Sequence, residues 1–213
     1  MELNSIQYFA ISIIPVLLAI TVHEASHGYA AKFFGDKTAF FLGRITLNPL
    51  KHIDPIGTIL IPGVLLLLSA PFLFGWAKPV PVNFANLHNP KKDMFWVALA
   101  GPGSNFLMAI IWTILFGIFQ SLQLSSSVFL IGMAQVGIVI NLVLMLLNLL
   151  PIPPLDGGRI AVSILPNPWS YRLANIERYG MFILIFMIMS GLLSAILLPL
   201  LRFFQGALAN IFL

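Results

Sequence analysis

The sequence predicts an all-α polytopic membrane protein. About four spanning helices are expected, at 6–34, 94–119, 125–150 and 179–200, with a re-entrant segment at 56–76 and a short β-hairpin near 40–49. Three observations carry this. Of 213 residues, 59% are hydrophobic and only 8% charged, where a soluble domain has about a quarter charged. The mean hydropathy is +0.98. Apolar runs of the roughly 20 residues needed to cross a bilayer recur along the chain. No stretch has the composition of a separate soluble domain, so residues 1–213 are read as one membrane-embedded domain. The net charge of +4 is small, and the basic residues fall between apolar runs. They read as orientation signals rather than a nucleic-acid surface, so the expected partner is the lipid bilayer. With no cysteine, any metal must be held by nitrogen and oxygen.

Taken in order, the first helix runs from Ile6 to Phe34 and ends at Gly35-Asp36. It is not read as a cleaved signal peptide, because cleavage would remove the residues singled out below. Phe41 to Pro49 has β-branched and aromatic residues bounded by Gly43 and Asn48-Pro49, which predicts the hairpin. Ile56–Trp76 is long enough to span but is interrupted by Pro62-Gly63, Pro71 and Gly75. Lys78 to Asn83 should be extended, since residues before proline are pushed out of the helical region. Met94–Phe119 and Ser125–Leu150 are clear spans, the second stopped by Pro151-Ile152-Pro153-Pro154. Tyr179–Leu200 is the last, followed by an interfacial amphipathic tail from Leu201 to Leu213 headed by Arg202.

The chemistry begins at His23-Glu24-Ala25-Ser26-His27, behind the uncharged run Ile6–Val22. On a helix, HExxH places two imidazoles one turn apart on one face with a carboxylate beside them. That is the pattern of a zinc site with its own general base. Ionisable groups at membrane depth are functional candidates by default. The plain alternative is a chance HExxH whose histidines bond to water or carbonyls. Two histidines do not complete a catalytic zinc site, which takes three protein ligands. His52 and His88 lie in loops, and the acidic candidates are Glu2, Asp36, Asp54, Asp93, Asp156 and Glu177. Asp156 stands out, in a proline-broken, glycine-rich block from Asn148 to Arg159 where the backbone can come close to a ligand. An Asp-Gly turn at a membrane boundary is the competing reading.

Here the sequence resembles the site-2 proteases, a family of intramembrane zinc metalloproteases. The matching residues are HEASH at 23–27, Ala100-Gly101-Pro102-Gly103-Ser104-Asn105, and the block Asn148 to Gly158. Gly43-Arg44-Ile45-Thr46-Leu47-Asn48-Pro49 and Gly75-Trp76-Ala77-Lys78-Pro79 extend the resemblance from about residue 15 to 165. It implies that His23, His27 and Asp156 bind one Zn2+ while Glu24 is the catalytic base. It also implies that Asn105 and Asn148 line the site and meet substrate or the oxyanion. The reading is of a short form without a PDZ-like or CBS-like module. Substrates would be membrane proteins, single-pass ones above all, cut within or near their transmembrane segments.

A substrate helix must unwind before it can be cut. The strand Gly43, Arg44, Ile45, Thr46, Leu47, Asn48 is expected to hold the unwound segment by edge addition. His52 is weighed as a substrate or proton-path residue against an ordinary loop position, and His88 as a loop residue. His23 lies about 17 residues, roughly 25 Å, into its helix. For it to share a metal with Asp156, an odd number of crossings must separate them. Met94–Phe119 supplies one, so Ile56–Trp76 should dip in and return. Loops 35–55, 76–93 and 151–178 carry excess Lys and Arg, which puts all three, and the site, towards the cytoplasm of a prokaryotic cell membrane. The competing functional class is a divalent-metal transporter or channel. It should show further polar groups along the later spans, and few are present.

Overall fold

The computed structural model describes residues 5–68, 75–122 and 127–213. Helix α1, Ser5–Phe33, closes at Gly35, whose φ of 114° suits only glycine. A one-turn helix α2, Thr38–Phe41, follows, and α3 is Ile61–Leu67. Helix α4, Pro90–Ser121, begins four residues before the expected start. Pro90 occupies the first turn, where its missing N–H costs nothing, and the Asp93 carboxylate accepts the Asn89 N–H at 2.7 Å. Helix α5 is Ser127–Asn148; the start expected at Ser125 lies outside the described residues. Helices α6 (Asp156–Ile164), α7 (Asn167–Ala174), α8 (Glu177–Met189) and α9 (Leu192–Phe212) complete the chain. Ile6–Phe33, Pro90–Ser121, Val128–Asn148 and Leu192–Phe212 are long and apolar enough to cross a bilayer.

Two expectations are corrected. There is no β-strand among the described residues, so the hairpin near 40–49 does not form. Residues 38–41 are helical, Gly43 turns the chain at φ 61°, and Pro49–His52 form a 3-10 turn capped by Asn48. These local turns consume the backbone groups a ladder would need. The last span is also displaced. The helix expected at 179–200 is broken at Ser190-Gly191, where Gly191 has φ 74°. Residues 201–212, expected as a surface tail, are the second half of α9. The whole stretch 179–213 is apolar, so hydropathy alone does not reveal the break.

The segment after Asp54 opens with a π-helical turn, Pro55–Leu60, whose first N–H groups bond to the Asp54 carboxylate. Helix α3 then runs through Pro62 and Gly63 for seven residues, about 10 Å, against the 30 Å of a hydrocarbon core. Pro71 lies outside the described residues. At Trp76 the chain is back beside its start: Trp76 N–H donates to Gly57 O (3.1 Å), and Thr58 Oγ1 donates to Trp76 O (2.8 Å). The flanking loops also touch, through Asn86 Nδ2 and Thr38 Oγ1 (3.4 Å).

Packing is apolar outward and polar inward, as lipid demands. Ile6, Phe9, Leu107, Ile111 and Phe203 are exposed, whereas Thr21, His23, Asn105, Thr113 and Asn141 are buried. Ala109, Leu142, Met145, Leu146 and Leu208 join α4, α5 and α9. The Trp112 ring lies against Gly137, where any Cβ would overlap it, so α4 and α5 approach closely.

Asp36, fully buried just beyond α1, ties the loop before α4 to the first helix. Its carboxylate accepts from Thr38 N–H (3.0 Å), Thr38 Oγ1, Asn83 N–H (2.7 Å) and Asn86 Nδ2 (3.2 Å). Burial pushes its pKa up, but these donors outweigh it and hold the group below the ordinary carboxylate value. Its stabilisation is therefore complete above the unfolded-state value and is lost as pH falls through the lowered folded one. Asp36→Asn should cost about 1–3 kcal/mol at neutral pH and flatten the acid limb of stability, as measured by thermal melts across pH.

Candidate metal centre

The i, i+4 spacing in α1 stacks the two histidines of HEASH on one face. Their Nε2 atoms are 3.1 Å apart and lie 3.2 Å (His23) and 3.3 Å (His27) from Asp156 Oδ2. These separations are those of ligand atoms about 2 Å from one tetrahedral zinc ion, for which the edge is about 3.3 Å. The protonation pattern fits as well. His27 Nδ1 sits 2.7 Å from Val97 O, a pure acceptor, so Nδ1 carries the hydrogen and Nε2 the lone pair. Asp156 Oδ2 is buried and has no hydrogen-bond partner. Two imidazole nitrogens and a carboxylate oxygen thus converge, with electron pairs facing one point.

Asp156 reaches that point because the chain after α5 is folded tightly. Ile152 N–H bonds to Leu150 O, and Leu155 N–H to Ile152 O, across a turn containing the cis Pro153–Pro154 bond. Gly157 lies against Leu149 O and Leu150 O, and Gly158 against Pro153 N, so neither position has room for a Cβ. Gly101 does the same for α4: a Cβ there would meet His27 Nε2, and His23 Cε1 at 2.6 Å.

Glu24 shares a cavity of about 140 Å³ with His23, His27, Asn148, Asp156 and Arg159. Its Oε2 accepts a 2.7 Å hydrogen bond from Val80 N–H. Val80 belongs to the extended segment 75–83, which passes over the cavity. Arg44 Nη2 holds that segment through Lys78 O (3.1 Å) and Pro79 O (3.2 Å), while Lys78 N–H bonds to His52 O (2.9 Å).

The residues expected at the site are placed differently from one another. Asn148 lines the cavity, with Nδ2 donating to Leu144 O (3.0 Å). Asn105 is fully buried beside His23 and does not line the cavity. Gly43–Asn48 run as an irregular segment, so the edge expected to take substrate is not formed. Arg44 braces residues 78 and 79, Ile45 packs on Gly28, and Thr46 O accepts from His52 Nε2 (2.9 Å). Leu47 is exposed, and Asn48 caps the following turn. His52 is buried in that loop, and His88 packs on Gly35; both lie outside the metal-ligating group. Sequence reasoning did not single out Val80, Arg159 or Asn141. Asn141 had a signal: it is seven residues, two turns, before Asn148 on the same face of α5.

The model of peptidase family M50 matches residues 11–190. A Bacillus subtilis protein named "Putative zinc metalloprotease YwhC" is 37% identical over 96% of this chain and 94% of its own length. A Mycolicibacterium smegmatis protein named "Putative zinc metalloprotease Rip2" is 29% identical over 90% of this chain and 71% of its own. "Zinc metalloprotease MJ0392" of Methanocaldococcus jannaschii is 26% identical over 90% of this chain and 46% of its own. No solved structure matches. The transporter or channel alternative finds no support in these matches. The chain has four bilayer-length helices and a group of two imidazoles and a carboxylate able to hold the metal those relatives are named for. The chain belongs to peptidase family M50 and is a multi-pass zinc metalloprotease of the intramembrane type.

Proposed function

We propose that His23, His27 and Asp156 hold the zinc ion and that Glu24 is the general base, acting on single-pass membrane proteins whose helix unwinds locally at this cavity. The observation that carries this reading is the placement of the Glu24 carboxylate in the same small cavity as the three converging ligand atoms. Zinc held there would acidify water and polarise the scissile carbonyl. Glu24 takes the proton of the attacking water as the C–O bond forms, then delivers it to the leaving nitrogen as the C–N bond breaks. Arg159 and Asn148 face the cavity from the Asp156 side and are the side chains best placed to meet the peptide carbonyl. The cationic loops 35–55, 76–93 and 151–178 favour a site opening towards the cytoplasm. Bacterial and archaeal relatives favour a prokaryotic cell membrane.

The test is reconstitution in lipid with candidate single-pass substrates, comparing the native chain with Glu24→Gln. Cleavage should fall about 10²–10⁴-fold while one zinc per chain is retained. Cleavage by the variant at the native rate would remove Glu24 from the chemistry.

A further inference from the structure

Asn105 makes three side-chain hydrogen bonds, and both of its amide hydrogens are used. Its Oδ1 lies 2.6 Å from His23 Nδ1, and its Nδ2 donates to Ala19 O (3.2 Å) and to Asn141 Oδ1 (2.9 Å). Asn141 in turn donates from Nδ2 to Gly137 O (2.8 Å). Both asparagines are 0% exposed. The polarity of this chain is fixed from its far end. Gly137 O can only accept, so the Asn141 amide nitrogen faces it and the Asn141 oxygen faces Asn105. The Asn105 nitrogen then meets two acceptors, which turns its oxygen to His23. His23 Nδ1 must therefore carry the hydrogen, leaving the Nε2 lone pair directed at Asp156 and His27.

We infer that Asn105 and Asn141 are positioning residues of the metal centre: Asn105 sets the tautomer and ring orientation of His23, Asn141 locks the Asn105 amide, and neither meets substrate. This rests on His23 being a zinc ligand. It also gives Asn105 a task different from the substrate or oxyanion role expected from the sequence. No water can stand in for these groups, because α1, α4 and α5 close over them. A ring freed from Asn105 can rotate about χ2 or move its hydrogen to Nε2, and both remove the lone pair from the ligand set. His27 has a backbone carbonyl for the same purpose, which no substitution can delete. His23 depends on side chains from two other helices.

The experiment measures zinc affinity of the purified full chain in detergent by competition with a chelator, alongside cleavage at rising zinc concentration. Asn105→Leu and Asn141→Leu should each weaken zinc binding about 10–100-fold, with the lost cleavage regained as zinc is raised. Asn105→Asp keeps an oxygen facing His23 and should bind zinc more tightly than Asn105→Leu. It also keeps the comparison usable if either leucine variant does not fold. Native zinc affinity in all three, with cleavage down about 10²–10³-fold and not restored by zinc, would overturn the inference and return Asn105 to the substrate. Native zinc affinity in His23→Ala marks a different failure, that of the ligand assignment itself.

Discussion

Asp156→Ala is expected to abolish zinc binding and proteolysis together. The two histidines alone give a site one protein ligand short of the three that catalytic zinc requires. Asp156 Oδ2 sits within 3.3 Å of both Nε2 atoms, and among the described residues no other His, Cys, Asp or Glu joins the group. The loss of affinity should exceed the 10–100-fold typical of outer-shell changes, reaching about 10³-fold or more. Stability reports it separately from activity. A ligand at 100 to 1,000 times its Kd stabilises a folded chain by about 2.7–4.1 kcal/mol. The native protein should therefore melt higher with zinc than without, and the variant should show no such difference. A zinc-dependent rise in Tm that survives Asp156→Ala would reject the assignment.

Gly101→Ala is expected to inactivate the enzyme without replacing any of the three proposed ligands. Alanine is the better helix former by about 1 kcal/mol, and Gly101 lies inside α4. That gain is intrinsic to the helix and is the same with or without zinc. The added Cβ, however, points into both imidazoles, 2.6 Å from His23 Cε1 and closer still to His27 Nε2. Real Cβ contacts essentially never fall below 3.0 Å, so the rings must move. They cannot move freely, because Nδ1 of His23 is held by Asn105 and Nδ1 of His27 by Val97 O. Zinc ligands tolerate displacements of only about 0.2 Å. Affinity should fall about 100-fold or more, with cleavage falling alongside. The overpacking, typically about 1–3 kcal/mol, should offset or exceed the helix gain, so the zinc-free Tm does not rise. A variant that binds zinc natively would show that the rings have more freedom than their hydrogen bonds allow.

Much of the site was legible because its chemistry is local. Two histidines four apart and an aspartate in a proline-glycine block declare themselves in one dimension, and the demand that they share an ion ordered the helices. What was not legible depended on distant partners. Arg44 looked like part of a strand, yet its guanidinium is spent on carbonyls 34 and 35 residues away. Asn105 was expected to meet substrate or the oxyanion because the family resemblance implies that role. Its real environment, Asn141 on one side and His23 on the other, is invisible until three helices are packed. The Gly191 break was hidden by apolar sequence on both sides, where a single positive φ outweighs hydropathy.

The segment over the cavity has a consequence for how such a chain avoids its neighbours. Pro79 and Pro81 have no N–H to offer, while Val80 and Asn83 have given theirs to Glu24 and Asp36. An extended stretch of backbone in a crowded membrane is ordinarily an invitation to edge-to-edge association. This one is nearly stripped of donors. The residues that lie across the Glu24 carboxylate therefore offer an incoming extended chain few N–H groups to pair with.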